Sequence, residues 1–128
     1  MGANPGETPE QTAMRLGIGG LNRHVFLCTG PECVSTEEGQ KAWEELKAGI
    51  SRSNLSKSCF RTKVGCLRLC NQGPIAVVYP EGVWYKQMNS MRIPDLISQH
   101  LLGGKPLEDG VVARDDLTPP TAGHSDKS

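Results

Sequence analysis

Neither a basic cluster nor an apolar stretch occurs in the opening residues MGANPGETPE, so the chain is expected to lack a secretory leader. Nor does any apolar run approach the roughly 20 residues that a membrane-spanning helix needs. An excess of one charge is missing too. Fourteen Lys and Arg balance 14 Asp and Glu, which argues against a polyanion-binding protein. Together these absences predict a soluble, cytoplasmic protein that uses neither membrane nor nucleic acid. Glycine and proline are scarce in the middle of the chain. Residues 1–20 hold seven and residues 103–128 another seven, leaving ten for the 82 residues between. The expected folded unit is therefore residues 23–108, with flexible tails at 1–22 and 109–128. A unit this small buries only roughly 60–65% of its unfolded surface, so a cross-link or metal centre would help it.

Local patterns supply the elements. Residues 23–28, RHVFLC, read as a buried strand, and Gly30-Pro31 breaks it. Ser35 followed by Glu38 is a capping-box pattern, and Ala42, Trp43, Leu46 and Ile50 then fall on one helical face. FRTKV (60–64) alternates as a half-wet strand, and IAVVY (75–79) reads as a central one. Pro80-Glu81-Gly82 is a turn leading into VWYKQM (83–88), the second arm of a hairpin. A last helix starts near Pro94, buries Leu96, Ile97 and Leu101, and stops at Gly103-Gly104. The order β-α-β-β-β-α predicts an α/β sandwich with a mixed four-stranded sheet and two main helices.

Cysteine is present in an informative number. Five thiols cannot all pair within one chain, and the cytoplasm disfavours structural disulfides. Four of them form two pairs: Cys28 and Cys33 enclose four residues, Cys66 and Cys70 three. In a β-α-β unit the two strands are parallel neighbours, which brings both loops to one edge of the sheet. Four thiolates meeting there call for a metal. A 2Fe–2S cluster takes two cysteines per iron. A structural zinc module with four cysteine ligands is the alternative, although zinc sites usually have about 12–20 residues between their pairs and here there are 32. Thiol redox chemistry stays open as a third reading, without the usual C-x-x-C.

These residues resemble the thioredoxin-like 2Fe–2S ferredoxins. The likeness covers roughly residues 23–108 and rests on HVFLC ending at Cys28, on VGCLRLCNQGP (64–74) and on VVYPEGVWY (77–85). The small 2Fe–2S subunit of NADH:quinone oxidoreductases and of some hydrogenases has a similar layout. The resemblance implies a thioredoxin-like fold and one 2Fe–2S cluster ligated by Cys28, Cys33, Cys66 and Cys70. It also implies one-electron transfer to and from redox partner proteins, no catalysis by the chain itself, and often a homodimer. The short Thr29–Glu32 loop is nearer to the oxidoreductase subunit, which leaves a permanently docked subunit as an alternative to a free carrier.

Residues 52–92 hold seven basic side chains against one acid, Glu81. Arg68 and Lys63 are read as raising the potential and presenting a cationic docking face. Gly65 and Gly73 are read as letting the second cysteine loop bend. The spare Cys59 reads as a small buried hydrophobe. His24, His100 and His124 are poor ligands, and Trp84 and Tyr85 are core or interface residues.

Overall fold

A computed structural model describes residues 5–31, 34–69 and 71–118. Its elements are α1 (Pro9–Leu16), β1 (Arg23–Cys28), α2 (Thr36–Arg52), β2 (Cys59–Val64), β3 (Ala76–Tyr79), β4 (Val83–Tyr85), α3 (Ile93–Asp95) and β5 (Val111–Arg114). From Leu96 to Leu102 the chain continues α3 as π-helical turns. The strands form one five-stranded sheet in the order β2-β1-β3-β4-β5. β1 and β2 run parallel and the other neighbours antiparallel. The mixed α/β fold is as expected, but with five strands rather than four and an additional helix.

Both additions lie in stretches read as tails. Residues 9–16 form α1, capped by Thr8, whose side chain accepts from the Gln11 amide while Gln11 returns a bond to the Thr8 amide. Gly17 closes this helix in the left-handed conformation. Residues 111–114 pair with β4 as an edge strand, and the Asp115 amide donates to the Gly82 carbonyl. Residues 1–4 and 119–128, with His124, lie outside the described residues.

Strand alternation puts Val25, Leu27, Ala76, Val78, Val83 and Tyr85 on one face. There they pack with Ala42, Leu46 and Ile50 of α2 and with Ile93, Leu96, Ile97 and Leu101 of the last helix. At the N-terminus of α2 the Ser35 hydroxyl accepts from the Glu38 amide, as its spacing predicts. Cys59 opens β2 and is buried in the same core, and burial pushes its thiol pKa up. The opposite face carries an aromatic group: the His24 ring stacks on Phe26 at 4.3 Å between centroids and meets the edge of Phe60, and Phe26 meets the edge of Tyr79.

One polar network crosses the helix-covered side. Arg23 pairs with Glu81 at 2.8 Å. His100, fully buried, reaches Glu81 through Nε2 at 3.2 Å and Tyr85 Oη through Nδ1 at 2.7 Å. The Leu107 amide donates to Tyr85 Oη at 3.0 Å. A neutral ring that accepts the tyrosine hydrogen at Nδ1 and donates Nε2–H to Glu81 satisfies every bond in this chain of contacts. Burial holds the His100 pKa below its ordinary value, against the opposing pull of Glu81. Burial raises the Glu81 pKa, but the bonds from Arg23 and His100 outweigh it and leave the carboxyl below its ordinary value.

Candidate metal centre

The parallel register pairs Cys28 with Val64 at the ends of β1 and β2. The Thr29 amide extends the ladder by donating to the Val64 carbonyl at 2.9 Å. Past that point both chains leave the sheet at the same edge. A Cβ added to Gly65 would lie 3.9 Å from the Gly30 carbonyl oxygen, so the two loops run close beside each other.

Cys28 is fully buried in a small cluster with Ile75, bordered by Val34, Val64, Leu67 and Trp84. Its sulfur accepts from the Ile75 amide at 3.0 Å, and its own amide donates to the Ile75 carbonyl. Cys28 is disulfide-bonded in this structure, so a metal at this edge takes its sulfur in the reduced, thiolate form. Cys66 is exposed in the loop after β2, and its sulfur accepts from the Arg68 amide at 3.1 Å. Amides aimed at sulfur spread the negative charge that a metal-bound thiolate carries. Cys33 and Cys70, the other expected ligands, lie outside the described residues. Among the described residues no three His, Cys, Asp or Glu side chains gather as a metal cage.

The second loop bends at positions the sequence did not flag. Arg68 at φ 73° and Gln72 at φ 61° take the left-handed conformation, whereas neither Gly65 nor Gly73 has a positive φ. The glycine that does is Gly30, at φ 87°, and a Cβ there would run into the Val34 carbonyl oxygen. Gly39 at the start of α2 is equally confined: a Cβ would come within 2.6 Å of the Thr29 carbonyl oxygen.

The expected cations separate. Lys63 lies over the Trp43 ring of α2 at 5.7 Å, beside Arg61 at 5.4 Å. Arg68 instead lines a cleft with Lys86, which sequence spacing gave no reason to place there. Neither histidine joins the cysteines. His24 Nε2 bonds Thr62 Oγ1 at 2.8 Å, and His100 belongs to the network above. Trp84 is half-buried near the cysteine edge, while Tyr85 is wholly buried and is not available as an exposed hairpin contact.

No family model matches the chain. Among solved structures, a thioredoxin-like 2Fe–2S ferredoxin from Aquifex aeolicus superposes with a TM-score of 0.68 at 29% identity, covering 78% of this chain and 96% of that one. A 2Fe–2S ferredoxin sequence from Aquifex aeolicus (strain VF5) is 31% identical over 102 residues, 72% of this chain and 90% of that protein. The chain belongs to the thioredoxin-like 2Fe–2S ferredoxins. A Clostridium pasteurianum 2Fe–2S ferredoxin matches over 89 residues at 29% identity, covering 64% of this chain and 87% of its own length. The fold of this ferredoxin-family chain is thus the one its motifs implied, and no helix among its described residues is long and apolar enough to cross a membrane.

Proposed function

We propose that this chain is a one-electron carrier whose single 2Fe–2S cluster is held by Cys28, Cys33, Cys66 and Cys70. The observation that carries the reading is the parallel β1–β2 register, which sends the Cys28 and Cys66 loops out of the sheet at one edge. Thiolates are soft donors suited to iron–sulfur centres. When bound, the cluster supplies a centre that accepts one electron and returns it.

The chain's own residues provide the setting. Ile75 and Arg68 amides donate to the Cys28 and Cys66 sulfurs. Val34, Val64, Leu67 and Trp84 wall the Cys28 side against water. Cys66 on the exposed loop leaves the other side open to a partner. The protein works, on this reading, in the cytoplasm as a homodimer and catalyses no reaction of its own. The aromatic sheet face around His24, Phe26, Phe60 and Tyr79 supports pairing of two copies.

The test is anaerobic purification followed by iron and acid-labile sulfide analysis, a visible spectrum and a redox titration. About two irons and two sulfides per chain, with one reversible one-electron step, are expected. A colourless, zinc-loaded preparation contradicts the reading and favours a structural zinc module.

A further inference from the structure

The second cysteine loop forms one wall of a cleft of about 430 Å³ lined by Arg68, Leu69, Asn71, Gln72, Ile75, Lys86, Val111 and Val112. Its charge is of one sign: Arg68 and Lys86 are its cations, and no carboxylate lines it. Among the described residues neither cation enters an ion pair, whereas Arg92 is engaged by Asp109 and Arg114 by Glu108. The cleft is held by backbone bonds, Lys86 to Gly110, Gln87 to Gln72 and Met88 to Pro74, all between 2.8 and 3.0 Å. Leu69 and Val112 give its rim an apolar part, 37% and 48% exposed. Arg68 also sits one hydrogen bond from the Cys66 sulfur.

Resting on the carrier reading, we propose that this cleft docks an acidic redox protein. Carboxylates on the partner meet Arg68 and Lys86 while an apolar side chain covers Leu69 and Val112. The contact places the partner's redox centre next to the Cys66 loop. Charge complementarity argues for this occupant: two cations that form no ion pair among the described residues, beside an apolar rim, suit a surface of opposite sign and speed its encounter. The Arg61 and Lys63 pair, which already lies against Trp43, is the rival cationic site.

Two anionic probes test the proposal. Hexacyanochromate(III), a paramagnetic trianion, is added to the isotope-labelled protein, and line broadening is mapped by NMR. The Val111, Val112 and Leu69 methyls and the Asn71 and Gln72 amides are expected to broaden, and the effect to vanish in Arg68→Gln/Lys86→Gln. Broadening centred on Arg61 and Lys63, or spread evenly, overturns the proposal. The second probe is hexacyanoferrate(III), which takes one electron from the reduced protein and becomes hexacyanoferrate(II). The double substitution is expected to slow this step about tenfold at low salt and to leave oxidation by cationic hexaamminecobalt(III) equal or faster. Equal rates for variant and parent with hexacyanoferrate(III) overturn it. A preparation without iron or sulfide defeats the carrier reading instead, while the broadening map still reports on the cleft.

Discussion

Arg23 at one end of the sheet is held by Glu81, Glu81 by His100, and His100 by Tyr85, whose hydroxyl in turn receives the Leu107 amide. At the Cys28 end the arrangement is the reverse: Arg68 and Lys86 line a cleft that contains no carboxylate. The first region joins β1, the β3–β4 turn, the last helix and the segment leading to β5, so its polar groups contribute to stability. In the second, shape comes from backbone, namely a parallel register, a confined glycine and two left-handed residues, and its charges stay available. Stability and reactivity are therefore built from different materials within one small sheet.

Substitution at the confined glycine is the most severe way to probe the difference. Gly30→Ala is expected to lose most of its bound iron, because a left-handed alanine costs about 1–2 kcal/mol and its Cβ would strike the Val34 carbonyl. Iron content per chain and the visible spectrum check this. Full iron loading in this variant removes the claim that backbone confinement shapes the edge.

Tyr85→Phe addresses the other region. It strands the Leu107 amide and His100 Nδ1 inside the protein, at an expected cost of about 1–3 kcal/mol. The urea midpoint should fall while iron content and spectrum stay as in the parent. Loss of the cluster spectrum in a folded Tyr85→Phe protein breaks the separation of the two regions.

The smallest effect concerns pH. His100 has a folded pKa held below the roughly 6.5 of the unfolded chain, so the unfolded state binds more protons as pH falls past that value. Stability is fully present above about pH 6.5 and declines below it. Glu81, also depressed, adds a decline through the acid range below its unfolded value near 4.3. His24, lowered by burial, acts in the same direction as His100. Urea midpoints between pH 7 and pH 5 should therefore slope less in His100→Gln than in the parent, the remainder belonging to His24. An unchanged slope assigns the pH dependence elsewhere.

Much of this was legible in the amino-acid order, for identifiable reasons. β1 and α2 were readable because an apolar run and a 3.6-residue stripe each belong to one element. The meeting of the cysteine loops followed from the parallel pairing of the two strands of a β-α-β unit. α1 was missed although its signals were present, with Thr8, Gln11, Pro9 and Gly17 forming a start and a stop, because it is only eight residues long and buries none of them. β5 has only Val111, Val112 and Ala113 as apolar residues, too few to show a period. The Arg23–Glu81 pair alone joins residues 58 positions apart, and only tertiary structure brings such side chains together.

The most direct test of the central claim replaces one cysteine from each loop in turn. Cys28→Ser and Cys66→Ser proteins, reduced with dithionite, are compared with the parent by electron paramagnetic resonance. The parent should show about one unpaired electron per chain. Each variant should lose that signal or shift it, because in the proposed ligation both loops hold the same pair of irons. A parental signal that survives unchanged in either variant would mean that loop holds no part of the cluster.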